Sequence, residues 1–118
     1  MTRHFSKWAK KQGISIIELA KALDEIKNGQ FEVNLGGCIL KKRIRFQGMG
    51  KSKSGRTIIC YKTGDRAIFI HGFAKNEKSN LSPKELKAFK EFSKVLLGMS
   101  IKQINAAIKN SDFIEVIK

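Results

Sequence analysis

At 118 residues the chain has room for one domain, and its 42% hydrophobic content is enough for a core, which excludes wholesale disorder. The formal net charge of +14, from 24 Lys and Arg against 10 Asp and Glu, favours polyanionic partners, either nucleic acid or an acidic protein. No apolar run reaches the roughly 20 residues of a membrane span, the basic start from Met1 to Lys11 lacks the apolar stretch of a signal peptide, and Cys38 and Cys60 lack zinc-site spacing and read as free buried thiols.

Phe5 to Lys11 reads as a short basic helix broken by Gly13. Ser15-Ile16-Ile17-Glu18 is a capping box, in which the serine hydroxyl and the glutamate carboxylate each satisfy an orphan backbone N–H. The helix it opens is expected to bury Ile16, Leu19, Ala20, Leu23 and Ile26 and to stop at Asn28-Gly29; with the first helix it could form a helical hairpin. Phe31 to Leu35 reads as extended and ends at Gly36-Gly37. From Cys38 to Phe46 the residues alternate: Leu40, Ile44 and Phe46 share one face, and Lys41, Arg43 and Arg45 the other, with Lys42 on the apolar side. A Gly/Ser/Lys loop, 47–55, leads to a β-branched strand from Thr57 to Lys62, and Thr63-Gly64-Asp65 is a turn. Ala67 to Ala74 is apolar at nearly every position, the pattern of a central strand covered on both faces. These strands make an antiparallel meander.

Ser82-Pro83-Lys84-Glu85 joins a capping box to a proline at the first helical position, and Leu86, Phe89, Phe92 or Ser93, Leu96 and Leu97 form an apolar stripe. Ser100-Ile101-Lys102-Gln103 is a third capping box, opening a short helix through Ile104, Ala107 and Ile108. Phe113 to Ile117 alternates as a last short strand. The fold class that follows is α+β: a small single domain over residues 1–118 with N-terminal helices, an antiparallel meander and C-terminal helices.

Charge is not spread evenly. From Val33 to Gly64 there is no acidic residue, while Lys41, Lys42, Arg43, Arg45, Lys51, Lys53, Arg56 and Lys62 all fall there. A basic strand face beside a basic loop suits a phosphodiester backbone, with Lys41, Arg43 and Arg45 as candidate RNA-binding residues. Arg56, opening a strand at the loop edge with its head exposed, could clamp two phosphate oxygens and stabilise charge growing on phosphorus; the plainer reading is a surface arginine in an ion pair. Lys51 and Lys53 could contact phosphate or transfer a proton, against the plainer reading of two solvated lysines. Gly48-x-Gly50-Lys51-Ser52 lacks the spacing and the following helix of a nucleotide-binding loop, so an NTPase is rejected. Lys75 and Lys78 could bind backbone phosphate, and Glu77 could act as a base or pair with a lysine. His71 titrates in the range acid–base catalysis needs, although a mid-strand histidine is more often half-buried packing; His4 is a weaker candidate. There is no Ser-His-Asp or Cys-His arrangement and no carboxylate cluster suited to a divalent metal, so neither metal nor cofactor is expected. Metal-free RNA cleavage needs little from a protein, because the 2′-OH supplies the nucleophile; orientation, cationic stabilisation and proton transfer remain.

Taken in order, Arg3-His4-Phe5-Ser6-Lys7-Trp8-Ala9-Lys10-Lys11, Leu35-Gly36-Gly37, Lys41-Lys42-Arg43-Ile44, Gly50-Lys51-Ser52-Lys53-Ser54-Gly55-Arg56-Thr57-Ile58-Ile59 and Gly72-Phe73-Ala74-Lys75-Asn76-Glu77 resemble a RelE-like toxin subfamily of the RelE/ParE superfamily. The resemblance covers about the first two-thirds of the chain. It implies a RelE/ParE-like fold and a metal-independent mRNA interferase acting on messenger in the ribosomal A site. It also implies neutralisation by a cognate antitoxin, which charge predicts to be acidic; a cytoplasmic location is the expectation from the missing membrane span and signal peptide. By position, Arg56 matches the family's strand arginine and Lys51 and Lys53 its loop lysines, while Lys75 falls near a later basic position. Many relatives carry a Tyr or His near the C-terminal strand. Here Ser111-Asp112-Phe113-Ile114-Glu115-Val116 offers none, which leaves proton transfer to His71, Glu77 or a lysine. The alternative from another class is a non-catalytic gyrase poison or nucleic-acid-binding module, which shares the fold but does not need the lysines and Arg56.

Overall fold

The computed structural model describes residues 1–48, 51–64, 66–74 and 81–116, with only the backbone described at 46–48 and 51–54. Helices α1 (Arg3–Gln12) and α2 (Ile16–Lys27) precede strands β1 (Val33–Gly36), β2 (Ile39–Gly48), β3 (Lys51–Lys62) and β4 (Arg66–Ala74), and helices α3 (Pro83–Gly98) and α4 (Ile101–Lys109) follow. The strands form an antiparallel sheet in the order β1-β2-β3-β4. Every expected capping box is present: Ser15 with Glu18, Ser82 with Glu85 and Ser100 with Gln103.

The sheet is covered on both faces. On one, Leu40, Ile44, Ile59 and Phe69 pack with Phe5 and Ala9 of α1 and with Leu19, Ala22 and Ile26 of α2. The two helices lie side by side there, α1 against β4 and α2 against β2, so each packs chiefly on the sheet and not as a hairpin on its neighbour. On the other face, Ile39, Ile58, Cys60, Ile68, Ile70 and Phe73 pack against Leu96 of α3. α3 turns Ser93 inward and leaves Phe92 exposed, which settles the two candidates for that turn. Ile16, expected in the core, is 36% exposed and is the first residue of α2.

Three strand expectations are corrected. The Gly/Ser/Lys segment is mostly strand: β2 continues to Gly48 and β3 begins at Lys51, paired in register from Gly48↔Lys51 to Ile39↔Cys60. Met49 and Gly50 lie outside the described residues. β4 is covered on both faces as expected, but it ends the order β1-β2-β3-β4, and β2 and β3 are the central strands. The reason lies at the C-terminus. Phe113 makes only an isolated bridge, to Thr2, in place of a fifth strand. Thr2 donates its N–H to the Phe69 carbonyl and Ile114 donates to the Met1 carbonyl, so the two chain ends together cover the β4 edge. The Met1 amine donates to the Ile114 carbonyl at 2.8 Å, and burial lowers its pKa to about 6.

Candidate phosphate-binding site

Cross-strand register determines what can meet on the α3 side of the sheet. Lys41 of β2 pairs with Ile58 of β3, which pairs with His71 of β4. One step along, Arg43 pairs with Arg56, which pairs with Phe73. Arg56 is therefore the sixth residue of β3, well inside the strand, not its opening residue. Nor is its head exposed: the side chain is 13% accessible, because the strand places it among neighbours on both sides. Two guanidinium-bearing residues directly opposite on adjacent strands repel unless an anion lies between them.

That anion is Glu32, the residue before β1. Its Oε1 lies 2.9 Å from Arg56 Nε and 3.7 Å from Arg43 Nε, and its Oε2 lies 3.3 Å from Lys41 Nζ. Its backbone N–H donates to the Lys41 carbonyl, which holds Glu32 beside β2. One carboxylate thus faces three cations, each a candidate from the sequence. Arg56 Nη1 is buried and has no hydrogen-bond acceptor among the described residues. Arg56 is in an ion pair, as the plainer reading has it, but not at the open surface, and its guanidinium is incompletely satisfied among the described residues.

The other candidates distribute around this cluster. Arg45 is exposed, one alternation beyond Arg43. Together with Lys21, Lys42, Arg43, Glu18 and Glu25 it lines a groove of about 320 Å³ between α2 and β2. Lys42, on the apolar side as its position in the alternation requires, is nearly buried and pairs with Glu25 of α2 at 3.2 Å. The backbone of Lys51 and Lys53 belongs to β3 itself, not to a loop. The Lys53 backbone lies three residues from Arg56, about 10 Å along the strand. His71 is half-buried among aromatic rings, stacked on His4 at 5.6 Å and packed on Phe89 of α3 at 5.1 Å. Its surroundings are those of a packing residue. Lys75, Glu77 and Lys78 lie outside the described residues. Of the thiols, both free, Cys60 is buried as expected and Cys38 is exposed, because Cys38 sits in the β1–β2 turn with φ 63°.

Glu32 is the residue that sequence reasoning missed. The available signal was its position as the last acid before the acid-free run.

A family model described as the RelE toxin of the RelE / RelB toxin-antitoxin system matches residues 1–116. The match extends through the C-terminal helices, past the motifs that carry the resemblance. No curated protein and no solved structure matches the chain.

Proposed function

Because the chain belongs to the RelE toxin family of toxin–antitoxin systems, we propose that it is a cytoplasmic, metal-independent endoribonuclease that cleaves messenger on the ribosome. The observation that supports this reading is the Arg43–Arg56 cross-strand pair gathered, with Lys41, around a single carboxylate. Like charges placed opposite one another in the middle of a sheet weaken it. They are useful where an oxyanion must be held, and a guanidinium offers two parallel donors to phosphate oxygens. In this reading the 2′-OH attacks the adjacent phosphorus, the O5′ leaving group departs, and Arg56 stabilises the charge that builds on the phosphoryl oxygens. Lys51 and Lys53, farther along β3, and Arg43, Arg45 and Lys41 on β2 hold the backbone. Lys75, Lys78, Glu77 and His71 stay candidates for backbone contact and proton transfer.

The test is messenger cleavage by the purified chain on programmed ribosomes. Wild-type protein should give cuts phased to codons. Arg56→Ala should reduce the rate on the order of 100-fold or more, the usual loss for one charged transition-state stabiliser. Arg56→Lys should recover only part, since it keeps the charge and loses the fork. A thermal melt should show Arg56→Ala folded, destabilised by about 1–2 kcal/mol from its half-buried stem and lost ion pair. A folded Arg56→Ala protein that cuts at the wild-type rate would remove Arg56 from the mechanism. DNA breaks in place of messenger cuts would replace the enzyme with a gyrase poison.

A further inference from the structure

We propose that Glu32 is an internal stand-in for the ligand's phosphate: its carboxylate occupies the anion seat formed by Lys41, Arg43 and Arg56 and is displaced when a phosphodiester backbone docks. The inference rests on the reading above for its class of ligand. Three features carry it. Among the described residues, a single carboxylate stands between the two guanidiniums of Arg43 and Arg56 and also pairs with Lys41. The more enclosed of its two arginines, Arg56, meets Glu32 through Nε, at 2.9 and 3.2 Å to the two carboxylate oxygens, while Nη1 has no acceptor among the described residues. A phosphodiester backbone repeats its pair of non-bridging oxygens at every nucleotide, so it can bring an acceptor to Nη1 as well as to Nε. Finally, Glu32 is displaceable: its side chain is 30% accessible and it lies ahead of the short edge strand β1, not within the central strands. Its presence also explains how Arg43 and Arg56 tolerate direct cross-strand pairing in the free protein.

The carboxylate then has two effects. It keeps the arginines oriented, and it sets a threshold that a stray polyanion must exceed. Removing its charge should therefore tighten backbone binding specifically through this seat. The experiment measures binding of a single-stranded 2′-deoxy oligonucleotide to the full chain at low and moderate salt. Glu32→Gln keeps the side chain's length and one acceptor oxygen, and should bind about tenfold more tightly at low salt, the order expected for releasing two or three ion pairs that share one partly exposed carboxylate. Asp112→Asn supplies the control: it makes the same change in net charge at the opposite sheet edge, where Asp112 pairs with Arg3 on the surface. It should change affinity less than twofold. In an Arg56→Ala background the gain from Glu32→Gln should shrink, because one wall of the seat is gone. Glu32→Ala should gain as Glu32→Gln does. A gain no larger than that of Asp112→Asn, a loss of affinity, or a gain unaltered by Arg56→Ala would each overturn the proposal. The probe has no 2′-OH, so the result does not depend on catalysis. A chain that cuts no messenger yet shows the Arg56-dependent gain refutes the nuclease and keeps the seat.

Discussion

Gly72 is where a single atom matters most. It pairs with Thr57 of β3 and lies under Trp8 of α1; a Cβ built there would meet the ring's Cε3 and Cζ3 at 2.4 Å. No methyl fits unless the indole moves, and the indole is one of the packing contacts between α1 and β4, beside the Phe5–Phe69 stack. Gly72→Ala should therefore cost about 1–3 kcal/mol, as overpacking does, and the double variant with Trp8→Leu should recover part of that in a denaturant titration. An unchanged midpoint for Gly72→Ala alone would show that the ring yields freely. Cys60 permits a second test at this scale. Burial raises its pKa above the ordinary 9.0, outweighing its contact with Ser93. In the folded chain it keeps its proton where the unfolded chain gives it up, so its contribution to stability is complete below pH 9.0 and declines as pH rises beyond it. At pH 8 an alkylating reagent should label exposed Cys38 at least tenfold faster than Cys60, with the two rates converging in denaturant; equal rates in the native chain would contradict the burial. The site residues were legible to different depths. Arg56, Lys41 and Arg43 could be chosen from charge alone. Glu32 could not, because its role depends on a register that brings β1's lead-in against β2 and β3, and nothing local in Phe31-Glu32-Val33 encodes that register.

Arg66, at the start of β4, determines how α3 is docked. Its Nη1 donates to the carbonyls of Leu96 and Met99, both at 2.7 Å. Helix C-terminal carbonyls lack intrahelical partners and carry the negative end of the helix dipole, so a guanidinium there satisfies both demands. Arg66→Ala should cost roughly 2–3 kcal/mol, since hydrogen bonds to a charged donor are worth more than neutral ones. Amide exchange should rise first over the last turn of α3 and through Ser100; exchange rising evenly over the whole sheet would mean Arg66 is not a local clasp. Helices were the elements most readable from sequence, because their start signals are local: three Ser-x-x-Glu/Gln boxes each specified an N-terminus, and all formed. Strands were read less well, for a physical reason. Gly48 to Gly55 is rich in Gly, Ser and Lys, a loop-like composition, yet Gly48 and residues 51–55 are held as a ladder by pairing that continues from the apolar half of the hairpin. Ala67 to Ala74 is as apolar as a central strand because α1 covers one face and α3 the other, while its edge is closed by Thr2 and the bridge at Phe113, contacts no window around β4 could reveal.

At the scale of the whole molecule, the net charge of +14 is the dominant property, and it bears on the partner as much as on the substrate. Membership of a toxin–antitoxin family implies an antitoxin, and the surface that must be silenced is cationic along β2, where Arg43 and Arg45 are exposed beyond the end of β1's pairing. An acidic antitoxin segment laid along that face would neutralise the cations proposed above to hold a phosphodiester backbone, and inhibition would then be competitive with RNA. Electrostatic complementarity of this kind raises association rates and is screened by salt within about 8–10 Å. The expected outcome is an affinity between chain and purified antitoxin that falls steeply from low to moderate salt, chiefly through slower association, and then levels off. The remaining affinity would come from apolar contact. Among the described residues Ile17, Val95 and Ile101 are 76%, 62% and 62% exposed, available to a partner that buries them. Arg43→Ala with Arg45→Ala should flatten the salt dependence while leaving the plateau in place, and an oligonucleotide bound to the wild-type chain should be released by the antitoxin. An antitoxin that is basic, a salt-indifferent affinity, or a ternary complex in which antitoxin and oligonucleotide bind together would show that neutralisation does not act through this face.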